Sequence, residues 1–134
     1  MRYEIIEHTA DAMVRCNGRT LEECFENAAF AMFDLVSDTS LVGKDTEINI
    51  SIEGDDHESR LYAMLSELLF ILDSESLLFC DFKVSFHGNT AECKAFGEYV
   101  DVKKHKLRTE IKAVTYHMMD VDPDVPSVTV IFDV

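Results

Sequence analysis

Twice along this chain an apolar pattern with a helical period gives way to one with the two-residue period of a strand. Leu21, Cys24, Phe25, Ala28, Ala29, Met32, Phe33 and Val36 recur at steps of three and four, and Ile48, Ile50 and Ile52 then alternate. Leu61, Met64, Leu65, Leu68, Leu69 and Leu72 repeat the helical spacing, and Phe82, Val84 and Phe86 alternate after them. Steps of three and four line one stripe of a helix, and steps of two line one face of a strand, so each segment has one side to bury. Thr20-Leu-Glu-Glu23 offers a capping box to the first helix, and Asp55 with Glu58 offers a cap to the second.

Strands account for most of what remains. His87-Gly-Asn-Thr90 marks a turn between two of them, with a strand over 91–100, and 112–119 is rich in β-branched and aromatic residues. Val128, Val130, Phe132 and Val134 line one face of a last strand, and residues 2–7 and 11–16 are expected to pair around an interruption at 8–10. These elements predict an α+β fold: one domain over residues 1–134, with an antiparallel or mixed β-sheet and two amphipathic helices. At 134 residues the chain is of ordinary single-domain size.

Charge narrows the function. Twelve Lys and Arg stand against 26 Asp and Glu, a net charge of −14. Proteins that bind nucleic acid unaided cluster basic residues to displace counterions. The one such cluster here is Lys103-Lys104-His105-Lys106 with Arg108, whereas 53–58 and 120–124 would repel phosphates. Tight direct RNA binding is therefore not expected, and a cation or a basic protein partner suits the surface better. Apolar runs such as 68–72 fall short of the ~20 residues that cross a bilayer, and the first residues lack a signal-peptide core, which predicts a cytoplasmic protein. Cys16, Cys24, Cys80 and Cys93 are widely spaced with no C-x-x-C pair, the pattern of buried thiols rather than a zinc site or a disulfide framework. Glycine-rich phosphate loops, G-x-S-x-G and H-E-x-x-H are missing.

Acidic groups stand at two informative places. His8-Thr-Ala-Asp11 lies at the step between two strands, and Asp133 lies in the apolar run 128–134, where aspartate is disfavoured. If that strand is tied down, the Asp133 side chain and the main-chain carboxylate of Val134 are held together as neighbouring anions. Either the end is solvated, as chain ends usually are, or a cation shared with Asp11 compensates it. Carboxylate oxygens suit calcium, magnesium or manganese. His8 is a candidate ligand, orienting group or cap of the bend. On a strand, His117 shares a face with Ala113 and Thr115, so it is either a site residue or a buried, hydrogen-bonded histidine. Lys112 is either a snorkelling surface lysine or a phosphate contact. His57, His87 and His105 lie in polar, turn-like contexts that assign them nothing.

Five segments together resemble the archease family. Glu7-His-Thr-Ala-Asp11 resembles its opening signature, and Gly18-x-Thr-Leu-Glu-Glu-x-Phe-Glu-Asn-Ala-Ala-x-Ala-Met-Phe-Asp34 its first helix. Leu65-Ser-Glu-Leu-Leu-Phe70 resembles its second helix, and Lys112-Ala-Val-Thr-Tyr-His117 and Phe132-Asp-Val134 complete the order. Met64 stands where the family often has tryptophan, and Ala12-Met13 where isoleucine is more usual. The resemblance implies a metal site, most naturally calcium, built from Asp11, Asp133 and the Val134 carboxylate. It further implies a non-enzymatic activator of the GTP-dependent tRNA-splicing RNA ligase, promoting ligase guanylylation and multiple turnover in tRNA maturation. Two alternatives are a stand-alone metal-dependent phosphate-ester hydrolase and a chaperone-like binding module in RNA processing.

Overall fold

The computed structural model describes residues 2–6 and 11–134. Its elements in chain order are β1 (Glu4–Ile6), β2 (Asp11–Asn17), α1 (Leu21–Val36), β3 (Thr46–Glu53), α2 (His57–Glu75), β4 (Leu77–His87), β5 (Thr90–Tyr99), β6 (Ala113–Asp122) and β7 (Ser127–Asp133), with a short 3-10 turn at Thr39–Leu41. The expected α+β fold with two amphipathic helices is present, but its strands divide between two sheets. One has the order β1-β2-β7-β6 and the other β3-β5-β4, and every strand pairing in both is antiparallel.

Both helices lie between the sheets. On α1, Cys24, Phe25, Ala28, Ala29, Ala31, Met32, Phe33 and Val36 are all buried. At ~100° per residue these positions spread over more than half the circumference, wider than the stripe of a helix covered on one side. Accordingly α1 packs on β4 of one sheet and on β2 and β7 of the other, while α2 packs on β6 and on β3 and β5. Phe25 meets Phe86 edge-on, and Phe33 meets Phe79 likewise, which joins α1 to the three-stranded sheet. The inner face of the four-stranded sheet supplies Val14, Cys16, Val128, Val130 and Phe132, all fully buried.

Local chemistry sets the ends. Thr20 Oγ1 accepts the Glu23 amide at 3.1 Å, as its position predicts, although Glu23 returns to the Arg19 amide rather than to the cap itself. On α2 the cap is Asp56, one residue beyond the expected Asp55, and it forms a reciprocal box with Ser59 instead of Glu58. The two-residue turn between β4 and β5 places Gly88 at φ 61, which costs a residue without Cβ little. All four cysteines are free, and burial pushes the thiols of Cys16 and Cys93 up to about 12, so they behave as small apolar groups. No described helix is long and apolar enough to cross a membrane.

Candidate metal centre

β7 runs through the middle of its sheet, with β2 on one side and β6 on the other. Because Val128, Val130 and Phe132 face the core, alternation turns Asp133 to the outer face with Thr129 and Ile131. There it has two cross-strand neighbours, Asp11 on β2 and Ala113 on β6. Residues directly opposite in an antiparallel pair share a face with Cβ atoms ~5 Å apart. The sheet thus brings Asp11 and Asp133, separated by most of the chain, to one spot, with Ala113 on the far flank of Asp133. Both aspartates are half-buried.

The strand end is tied by the Lys112 amide, which donates to the Asp133 carbonyl at 2.7 Å. This holds the backbone one residue before Val134, which is 36% exposed. Lys112 itself is exposed at the same end, beside Ala113.

His117 is placed differently. Beyond Thr115, which faces Ile131, β6 takes five residue steps to reach Asp120 while β7 takes two, from Ile131 to Thr129. This irregularity destroys the alternation that would carry His117 along the face of Ala113 and Thr115. His117 is exposed in the bulge rather than buried among hydrogen-bond partners, and the register does not bring it to Asp133. His8 lies outside the described residues.

Chemically the pair offers hard oxygen donors and no thiolate. Among the described residues no three His, Cys, Asp or Glu side chains stand close enough together to hold an ion. The two aspartates fit a cation therefore only with a further donor.

A second charged cluster was not foreseen. Glu98 Oε2 accepts from Lys104 Nζ at 2.7 Å, from the Gly43 amide at 2.6 Å and from His105 Nε2 at 2.9 Å. His105 Nδ1 in turn accepts the Asp101 amide at 2.9 Å, so its ring is the neutral tautomer with the proton on Nε2. Lys104, the Gly43 amide and His105, in that order, pull the Glu98 carboxyl from its ordinary 4.5 down to about 2. Arg108 Nη1 donates to the Asp34 carbonyl at 2.9 Å and lies near the Asp34 and Asp38 carboxylates. Three members of the one basic cluster, Lys104, His105 and Arg108, thus pin the 100–112 crossover to this chain's own carboxylates. Only a buried histidine inside a lysine run could have signalled this, and the run reads as a polar turn.

A groove of about 690 Å³ lies elsewhere, lined by residues that include Arg2, Arg19, Glu23, Glu26 and Lys83. Its opposed charges single out no ligand.

A sequence profile of the Archease protein family (MTH1598/TM1083) matches residues 3–134. A protein archease of Pyrococcus furiosus is 44% identical over 125 residues, covering 90% of this chain and 88% of that protein. A protein archease of Sulfolobus acidocaldarius is 45% identical over 120 residues, covering 88% and 86%. The solution structure of Methanobacterium thermoautotrophicum protein 1598 superposes with a TM-score of 0.86 at 40% identity, covering 99% of both chains. The crystal structure of a Thermotoga maritima archease, called a possible chaperone, gives a TM-score of 0.67 at 25% identity, covering 96% and 94%.

Proposed function

The chain belongs to the archease family, and from that membership we propose that it is a metal-binding activator of the GTP-dependent tRNA-splicing RNA ligase. In this role it promotes guanylylation of the ligase and its multiple turnover in tRNA maturation, without being an enzyme itself. The ion, most naturally Ca²⁺ with Mg²⁺ or Mn²⁺ as alternatives, is held by Asp11, Asp133 and the Val134 carboxylate. The observation that supports this reading above all is the direct register pairing of Asp11 with Asp133, one residue from Val134.

Three carboxylates supply only part of the ~6–8 oxygens that calcium takes. Positions stay free for water or for groups of the ligase. A bound divalent ion neutralises and orients phosphate oxygens on which charge develops during nucleotidyl transfer. This chain's share is to fix the carboxylates on neighbouring interior strands, where the Lys112–Asp133 main-chain bond restrains the end of β7. Lys112 stands at the same end of the sheet as a candidate contact to ligase or phosphate. With a net charge of −14, the surface is suited to a basic protein and poorly suited to RNA.

Multiple-turnover ligation of RNA halves by the cognate ligase tests this, with calcium or manganese present. Asp133→Ala and a chain extended by one residue beyond Val134 run beside the wild type. Stimulation by wild type and failure of both variants is the expected result. Stimulation by all three keeps the role and removes the site. Stimulation that also survives a chelator moves the chain to the chaperone-like reading. With no stimulation by wild type, turnover of phosphate esters by the isolated protein becomes the reading to test.

A further inference from the structure

The bulge that misplaces His117 creates a surface of its own. Tyr116 is 51% and Met118 57% exposed, and His117 between them is exposed as well. Met118 holds φ 55, in the left-handed region that costs a residue with a Cβ of order 1 kcal/mol. No hairpin requires that conformation here, since β6 continues to Asp122. Bulges of this kind re-aim side chains and are enriched beside functional sites.

One of these side chains, at the start of the bulge, is built into a platform. The Tyr116 ring stacks on Tyr62 of α2 with centroids 4.2 Å apart and planes 17° from parallel. The platform has an acidic rim at the start of α2: Asp56 caps the helix, and Glu58 in its first turn stands four residues before Tyr62, one turn away along the same side. Burial first, and then Asp56, raises the Tyr116 phenol above its ordinary value. Asp55 precedes Asp56 in the chain, and Asp120 follows the bulge on β6.

We propose that this face, Tyr62, Tyr116 and Met118 framed by Asp56 and Glu58, docks an arginine-rich segment of the protein's partner. A guanidinium is weakly hydrated, stacks on aromatic faces and pairs with carboxylates, so it satisfies the ring and the rim together. An unbranched thioether suits the aliphatic stem of such a side chain. Aromatic platforms also stack nucleobases, but every base carries a phosphate, and the rim is negative. The position sets this face near the carboxylate pair, on the other side of β6. Tyr116 is three residues along β6 from Ala113, the neighbour of Asp133, or ~10 Å at the rise of a strand, and the odd step turns it toward α2 rather than to the face of Asp133. A segment seated here brings its protein up to the Asp11–Asp133 end. Identifying that protein as the ligase rests on the function proposed above; the chemistry of the segment does not.

Two measurements on the full chain test this. Amide shifts are followed as hexa-arginine, hexa-glutamate or oligouridylate is added. Hexa-arginine is expected to move Tyr62, Tyr116, His117 and Met118, with affinity falling at least tenfold in Tyr116→Ala and several-fold in Glu58→Gln. No shift at these residues, or shifts with oligouridylate instead, overturns the proposal. In the second, the concentration of this protein giving half-maximal ligase stimulation is measured. Tyr116→Ala should raise it at least tenfold while leaving the plateau intact, the converse of Asp133→Ala; Met118→Ser serves if Tyr116→Ala misfolds. An unchanged half-maximal concentration refutes docking here and leaves the activator role standing. A ligase indifferent to wild type removes the activator role, and the hexa-arginine titration then decides the docking face alone.

Discussion

The two sheets are both antiparallel and both cover the helices, yet they place their irregularities on different residues. In the three-stranded sheet, β3 and β5 pair over eight consecutive positions without a break. Its one irregularity, between Phe79 and Asp81 on β4, lies beside Gly97, where a Cβ would come 1.8 Å from the Leu78 carbonyl oxygen. Its tight turn is carried by another glycine, Gly88. In the four-stranded sheet the departures fall on residues that cost more. A methionine takes the left-handed conformation, and two aspartates face each other across β2 and β7. Like charges directly opposite oppose pairing, and the other sheet meets the same problem at Lys83 and Lys94, where Glu47 lies 3.9 Å from Lys94. The contrast is therefore sharpest in the backbone: the three-stranded sheet places its exceptions on glycine, and the four-stranded sheet retains a methionine where glycine would relieve it.

Gly97→Ala should break the scaffold side hardest. The obstacle to a Cβ there is backbone on a paired strand, so relief means separating β4 from β5. A loss of more than about 4 kcal/mol in chemical denaturation, or failure to fold, is expected. A loss under about 1 kcal/mol would show that the sheet relaxes freely and would dissolve the contrast.

The clasp on Glu98 belongs to the same side, since β5 carries it. His105→Ala leaves the Asp101 amide without its acceptor and opens a buried hole, at about 3 kcal/mol. Ligase stimulation per folded molecule should be unchanged, because the clasp lies outside the proposed site. A pH signature goes with it. Glu98 is depressed in the folded chain, so its contribution is complete above the ordinary 4.5 and drains away as pH falls toward about 2. Wild type should lose stability relative to Glu98→Gln across that window, and parallel curves would mean the ion pair with Lys104 is idle.

On the other sheet, calcium rather than mutation should move stability. At a hundred times its Kd a ligand of the folded state adds about 2.7 kcal/mol. A rise of that order is expected for wild type and none for Asp133→Asn, read as Tm in calcium against chelator. An equal rise in both would place the ion elsewhere.

The regular sheet was also the more legible one. Alternation at Ile48, Ile50 and Ile52 and at Phe82, Val84 and Phe86 identified β3 and β4, and the Gly88-Asn89 turn was read from composition. Alternation reports which face is buried but not which strand lies alongside, so the division into two sheets stayed hidden. Asp55 and Asp56 are adjacent and chemically alike, and only the backbone at Asp56 decided which of them caps α2. At the candidate site, an aspartate inside an apolar strand marked Asp133, while its pairing with Asp11 is a matter of register between segments more than a hundred residues apart. His117 was misplaced because no glycine or proline announces the bulge. His105 was passed over because a lysine run hides a ring whose partners come from β5 and from Asp101.

The smallest prediction sets the two sheets directly against each other. Gly88 at φ 61 and Met118 at φ 55 occupy the same region of backbone space, and a Cβ at Gly88 would touch nothing within 4 Å. Gly88→Ala should therefore lose about 1 kcal/mol through conformation alone. Met118→Gly should gain up to about 1 kcal/mol, less whatever the freer unfolded chain takes back. If the contrast is right, the stabilised variant is also the poorer binder, its affinity for hexa-arginine reduced because the thioether is gone and the bulge is free to move. A Met118→Gly chain that is both more stable and equally competent would mean the strain at Met118 serves nothing, and the four-stranded sheet would then differ from its partner only in its charges.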